Sequence, residues 1–249
     1  MVTKSKLQLI KSLSLKKYRE EHQLFIVEGY KSIRELASSG LRVEVILIVS
    51  GNHHLDHLEP ETISAKDMKS ISNLKTPPGY LAVFKMNQKQ SLPKTGKIIA
   101  IDGVKDPGNL GTIIRLADWF GISDIVCSKE TVDGYNYKCV QASMASLARV
   151  QVHYTDLLAY VTSSLLPVFP TAMNGSSIYE KPLPEEGILI MGNESHGISK
   201  ELLKKGTAIR IPQYGTSQHT ESLNVAMATS IALGEWLRTT SMYVSLTHL

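Results

Sequence analysis

The chain has 249 residues, 43% of them hydrophobic and 20% charged, a composition that supports a packed core and argues against wholesale disorder. Its two cysteines, Cys127 and Cys139, sit in no CxxC or other metal-ligand spacing, so a disulfide framework or zinc site has nothing to build on. Apolar runs stop short of the roughly 18 residues of a membrane span, and Lys4, Lys6 and Lys11 interrupt any signal-peptide core, so a cytoplasmic protein without membrane or metal is expected.

The formal net charge of +4 is mild, but Lys4, Lys6, Lys11, Lys16, Lys17 and Arg19 all precede the first acid, Glu20. They give the first predicted helix, Ser5–Glu21, a basic face, which a solvated surface and a nucleic-acid contact explain equally well. A short apolar strand follows at Leu24–Val27, then a helix at Gly29–Ser38 and a strand rich in β-branched residues at Val43–Val49. Beyond a polar stretch with His53, His54 and His57, which lack companions for a metal, come a short helix at Lys66–Ile71, a Pro77-Pro78-Gly79 turn and a strand at Tyr80–Phe84. Lys85–Lys97 has the composition of a linker, with Pro93 and Gly96, and separates a small α/β domain (residues 1–90) from a larger one (97–249).

The pattern restarts at the apolar strand Ile98–Ile101, followed by a Gly/Pro loop and a helix at Leu110–Phe120, the opening of a βα unit. Further strands are expected at Ile125–Cys127, Val150–Val152, Val168–Phe169, Ile188–Met191 and Ile209–Ile211, and helices near Tyr135–Leu147, Asp156–Leu165 and Lys200–Lys204. Short apolar strands separated by helices indicate a parallel sheet covered on both faces, whose ligands sit beyond the carboxyl ends of the strands.

Three loops converge there. The first, Asp102–Gly111, lacks both the Gly-Lys-Ser/Thr ending of a P-loop and the spacing of a dinucleotide fingerprint, which weakens ATP and NAD readings. A tight βα turn would account for its glycines, but not for Arg115, which falls in an otherwise apolar helix where a buried guanidinium would need a partner. The second, Gly192–Gly197, places Glu194 at a strand end, although it could equally be a plain helix-start loop with Ser199 as N-cap. The third runs from Ile211-Pro212 to Ser222-Leu223-Asn224, where a helix opens whose N-terminal amides could receive an anion. Ala226, Ala228, Ser230, Ala232 and Gly234 make that helix slim.

Together the three loops resemble the three motifs of the SpoU, or TrmH, family of RNA ribose 2′-O-methyltransferases within the SPOUT class. Asn109 and Arg115 match the first motif, Gly192, Glu194 and Gly197 the second, and Ile211-Pro212 with Ser222-Leu223-Asn224 the third. The N-terminal segment resembles the family's L30e-like substrate-binding domain through Lys17-Tyr18-Arg19, Phe25–Gly29 and Pro78–Val83. The sequence departs from the family in a longer loop between Pro212 and Ser222, carrying Gln218, His219, Thr220 and Glu221, and in Ala226, where serine is frequent.

The resemblance implies a trefoil knot in the C-terminal domain, bound S-adenosylmethionine, a homodimer, and structured RNA as substrate, ribosomal RNA ahead of transfer RNA. It implies that Met191, Gly192, Ile211 and Leu223 hold the cofactor. Arg115 would activate or stabilise the ribose hydroxyl, Asn109 would contact the ribose or orient Arg115, Glu194 would fix Asn109, and Ser222 and Asn224 would shape the catalytic face. Lys16, Lys17 and Arg19 would contact RNA phosphates. Tyr135 and Tyr137 could stack a base or simply pack. His196 and His219 could assist proton transfer or be solvent-facing loop residues. The alternatives are a transfer-RNA enzyme of the same family, or an RNA-binding assembly factor of this fold without turnover.

Overall fold

The computed structural model describes residues 2–51, 58–88, 90–215 and 222–246, with side chains described up to residue 239. In chain order the first part forms α1 (Lys4–Ser12), α2 (Lys16–His22), β1 (Leu24–Glu28), α3 (Tyr30–Ser38), β2 (Val43–Val49), β3 (Glu61–Ile63), α4 (Ala65–Ile71) and β4 (Tyr80–Lys85). Next come β5 (Lys97–Asp102), α5 (Pro107–Trp119), β6 (Asp124–Ser128), α6 (Tyr137–Ser143), β7 (Gln151–Thr155) and α7 (Leu157–Ser163). The chain continues with β8 (Val168–Ser177), β9 (Gly187–Gly192), α8 (Lys200–Leu203), β10 (Ile209–Arg210) and α9 (Val225–Leu246). These elements gather into two compact units, Met1–Gln88 with Asp133–Arg149, and Lys89–Val132 with Val150–Leu249.

In the first unit the sheet order is β1-β4-β2-β3, with β4 antiparallel to both neighbours and β3 parallel to β2. Every residue of β1 is buried, because both faces of the strand are covered. Leu24 and Ile26 join Ile10, Leu13, Met68 and Ile71 in the core cluster. The next position, Phe25, packs instead on Tyr135, with ring centroids 4.8 Å apart, in the segment that α6 brings to β1. Tyr135 also accepts a hydrogen bond from the Asn87 amide, and burial pushes its hydroxyl up to about 12. Packing therefore explains Tyr135.

The single helix expected over Ser5–Glu21 is two helices, broken where Leu13 turns into the core and Leu15 becomes extended. The break leaves the carbonyls of Leu13 and Ser14 to be satisfied, and the Arg19 guanidinium donates to both at 2.8 Å. Its other nitrogens reach Asp133, at 2.5 Å from Nη2. Arg19 is only 4% exposed, so the expectation that it contacts RNA phosphates is corrected: its donors are used internally. Lys16 and Lys17 are exposed.

The second unit carries a six-stranded sheet in the order β10-β8-β9-β5-β6-β7, parallel at every pairing. Ile98, Ala100, Ile188 and Ile190 pack with Leu157, Tyr160 and Val161 of α7 on one face. Ile99 and Ile101 alternate to the other face. Leu110, Ile113 and Ile114 of α5 are fully buried, and α5 packs on α9. Trp236 is buried against Phe169 and donates to the Pro184 carbonyl at 2.6 Å. With β5 and β9 side by side in register from Lys97/Gly187 to Asp102/Gly192, the loops that follow them start together at one edge.

Candidate functional site

Two local signals start α5 where they bring Asn109 to that edge. Asp106 is the N-cap, accepting the Asn109 backbone amide at 2.8 Å, and Pro107 occupies the first turn, where its missing donor does no harm. The loop after β9 is closed by reciprocal backbone hydrogen bonds between Asn193 and Gly197, each 2.9 Å. Gly192 is required for that closure, since a Cβ there would lie 2.4 Å from the Gly197 carbonyl carbon and 2.5 Å from the Ile198 nitrogen.

Asn193 had drawn no role from the sequence, yet it is the hinge pin of the site. Its Nδ2 donates to the Gly103 carbonyl at 2.6 Å, and its Oδ1 accepts the amides of Ser195 and His196. The available signal was a short polar side chain between a glycine and an acid in a loop, the setting of an Asx turn. A second tie between the same loops is the Ser199 amide donating to Asp102 at 2.8 Å.

Across this frame runs a chain of side chains. Asn109 Nδ2 donates to Glu194 Oε1 at 3.0 Å, and Asn109 Oδ1 accepts from Asn224 Nδ2 at 2.9 Å. Asn224 in turn caps α9 by accepting the amides of Ala226 and Met227, so those donors are already taken and not open to an anion as expected. Burial alone would raise the Glu194 carboxyl, but hydrogen bonds from Asn109 and from the amides of Glu194, Lys105 and Asp106 outweigh it and hold it below the ordinary range. The group is thus an anchored carboxylate.

Beside this chain lies a cleft of about 530 Å³, lined among others by Met191, Gly192, Glu194, Ile211, Ser222 and Leu223. The volume falls within the roughly 300–1,000 Å³ of small-molecule sites. Its lining is apolar at Met191, Ile178 and Ile211, with backbone edges at Gly192 and Gly197, a surface suited to an adenosine that needs flat apolar contact and a few amide or carbonyl partners. The residues fit S-adenosylmethionine.

Arg115 does not join the group. The expected buried guanidinium is exposed, and it makes no hydrogen bond or ion pair among the described residues. Six residues beyond Asn109 on the same helix, it is turned about 120° away and displaced about 9 Å along the axis. Trp119, one turn further on Arg115's side of α5, is 83% exposed. His196 is an exposed residue of the cleft wall. His53, His54, His57 and the stretch with Gln218, His219, Thr220 and Glu221 lie outside the described residues. Among the described residues no three His, Cys, Asp or Glu side chains gather as a metal site, and no helix is long and apolar enough to cross a membrane.

Comparison with known proteins places these features in company. The family model described as SpoU rRNA methylase matches residues 96–234, and that of an MRM3-like substrate-binding domain matches residues 4–82. A Bacillus subtilis 23S rRNA (guanosine(2553)-2′-O)-methyltransferase, RlmP, is 33% identical over 230 residues, covering 89% of this chain and 91% of the relative. A solved TrmH-family structure from Porphyromonas gingivalis is 36% identical, with a TM-score of 0.82 over 95% of this chain and 98% of that one. An AdoMet-bound rRNA methyltransferase from Sinorhizobium meliloti is 28% identical, with a TM-score of 0.81 over 96% of each chain.

Proposed function

Since the chain belongs to the SpoU rRNA methylase family, we propose that it transfers a methyl group from S-adenosylmethionine to a ribose 2′-hydroxyl of ribosomal RNA. The observation that carries this reading is the Glu194–Asn109–Asn224 chain at the edge of a cleft suited to the cofactor. Bound S-adenosylmethionine would supply the electrophilic methyl group. Met191, Gly192, Ile211 and Leu223 would hold it, and the loop locked by Asn193 would keep that wall in place. Asn109, fixed at both ends of its amide, would orient the ribose. Ser222 and Asn224 would shape the face on which the hydroxyl approaches, so that positioning contributes much of the acceleration.

Arg115 is assigned to the ribose hydroxyl, stabilising the developing alkoxide, since a guanidinium is a poor proton acceptor. Its exposed place on α5, with Trp119 on the same side, supports a homodimer built on that helix, in which Arg115 serves the neighbouring protomer's site. The trefoil knot implied by the family draws support from tight backbone crossings: a Cβ on Gly206 would lie 2.0 Å from the Val168 carbonyl oxygen, and one on Gly175 would lie 2.6 Å from the Ala208 carbonyl carbon. Lys16 and Lys17 remain candidates for phosphate contact. We read the cytoplasm as its compartment, a reading that a bacterial relative acting on 23S rRNA supports.

The test is incubation with methyl-labelled S-adenosylmethionine and unmodified ribosomal or transfer RNA, followed by mapping of alkali-resistant linkages. Label at one ribosomal ribose is expected. Label on transfer RNA alone, or cofactor binding without transfer to either RNA, would overturn the assignment.

A further inference from the structure

The first unit holds a buried ionisable group that the methyl-transfer chemistry does not use. Glu28, at the end of β1, is 5% exposed, and its carboxylate accepts the Ser72 hydroxyl and the Asn73 amide. Ser72 Oγ in turn accepts the Leu74 amide, so the loop that leaves α4 is wrapped around one buried carboxylate. Such a group is costly to bury and brings no apolar packing, so its effect is to fix the loop's path. What the loop leads to is Lys75, Thr76, the stiff Pro77-Pro78-Gly79 turn and Tyr80 at the start of β4.

Tyr80 meets Tyr30, the first residue of α3, edge to face with ring centroids 5.4 Å apart. The Gly29 amide donates to the Tyr80 carbonyl at 3.0 Å, which ties the two segments at the backbone, and Gly29 has the φ of +101° that lets the chain turn there. Arg34, one helical turn beyond Tyr30, lays its guanidinium over the Tyr30 ring at 5.5 Å from the centroid. Both tyrosines are half-buried, whereas Lys31, Arg34 and Lys75 are exposed. The first turn of α3 contains no acid to offset them.

Two fixed aromatic rings, a planar cation stacked on one of them, and further ammonium groups on the same two segments form a surface of mixed character. Bases splayed out of a helix stack on tyrosine and arginine planes, and adjoining phosphates are neutralised by lysine and arginine. A peptide partner would be favoured by an apolar pocket, and this surface offers rings with cations instead.

We propose that Tyr30, Tyr80 and Arg34 form a platform on which the first unit stacks an unpaired nucleotide of the RNA substrate, with Lys31 and Lys75 contacting phosphates and Glu28 as the positioning residue beneath it. The proposal rests on the methyltransferase reading above, and moves the centre of RNA recognition away from the Lys16–Arg19 segment.

The test uses the full chain, in vitro transcribed 23S rRNA and the same RNA carrying 4-thiouridine. Photocrosslinks are expected at Tyr30 or Tyr80. Arg34→Gln, a change at an exposed position, should weaken RNA binding several-fold and reduce the slope of log affinity against log salt by about 0.7 to 0.9. Tyr30→Leu, which keeps apolar bulk, should weaken binding on the order of 10- to 100-fold. S-adenosylmethionine affinity, measured separately, should stay within twofold for both. RNA affinity within twofold of wild type in both variants, with wild-type methylation intact, would overturn the platform and leave the enzyme assignment standing. Failure of the wild-type chain to bind the RNA would overturn both. Loss of a co-purifying protein without loss of RNA affinity would overturn the platform and give the surface to a protein partner.

Discussion

Asn109 and Glu194, 85 residues apart in sequence, are joined by a hydrogen bond of 3.0 Å whose polarity is dictated by chemistry. A carboxylate can only accept, so the Asn109 amide nitrogen faces Glu194 and its oxygen faces the donor on Asn224. Asn109→Asp would set a second carboxylate against the first. Its kcat is expected to fall about 100-fold or more, with S-adenosylmethionine affinity changed less than tenfold, as single-turnover methylation and calorimetry would show. The Glu194 carboxyl lies below its usual 4.5, so the order it provides is present above that pH and is lost as pH falls through the lower folded-state value. Hydrogen exchange of the 192–197 loop should therefore show no change from this group between neutral pH and pH 5.

Arg115→Ala should abolish methyl transfer while leaving cofactor affinity nearly intact. If the arginine works across a dimer, mixing this variant with Asn109→Ala should restore measurable turnover, because hybrid dimers would carry one complete site. Trp119→Glu should shift the protein towards monomer in sedimentation equilibrium. Absence of complementation together with a dimeric wild type would place Arg115 in its own protomer's site.

Gly192→Ala forces a Cβ into the backbone at Gly197 and Ile198. Overpacking of this kind costs about 1–3 kcal/mol. The expected result is a lower unfolding midpoint and S-adenosylmethionine affinity reduced on the order of 10-fold, read by calorimetry with the cofactor.

Met144 and Ala145 have φ values of +48° and +69°, neither of them glycine. The left-handed region costs an L-residue about 1–2 kcal/mol, part of which a glycine returns to the flexible unfolded chain. Ala145→Gly should thus raise stability by about 0.5–1 kcal/mol in urea unfolding. A loss of stability would show that packing of the buried Ala145 methyl outweighs the strain.

Burial raises the Glu28 carboxyl above its usual 4.5, against the lowering effect of Ser72 and Asn73. A raised folded-state value means that its contribution is fully present below pH 4.5 and is lost as pH rises through the folded value. Glu28→Gln should remove that component of the pH dependence, which denaturation curves from pH 4.5 to 8 would reveal as a flatter stability profile above pH 4.5.

Much of this was legible because period and loop chemistry agree. Val43–Val49 is the strand its β-branched run predicts, and the strand ends at Asp102 and Gly192 meet as a parallel sheet requires. What escaped was set by partners distant in sequence. β8 extends to Ser177, far past Phe169, because its polar second half pairs with the short β10, and pairing leaves no mark in hydropathy. Arg19 read as a surface cation because nothing local announces Asp133. Arg115 read as buried from its apolar neighbours, although only three of every seven positions on such a helix need face the core. Asn193 escapes a reading of the sequence because its role is geometric, carried by five hydrogen bonds rather than by charge.

The allocation of Asp133–Arg149 to the first unit has a consequence for how this protein could be divided or recombined. A fragment ending near the linker would lack Tyr135, against which Phe25 stacks, and Asp133, the counter-charge of Arg19. Breaking a buried ion pair by removing one partner costs about 3–5 kcal/mol, a large share of the stability of a small domain. Grafting the N-terminal half onto another catalytic module would therefore succeed only if the donor loop travels with it, so shuffling of this recognition element must exchange two separate stretches of gene at once.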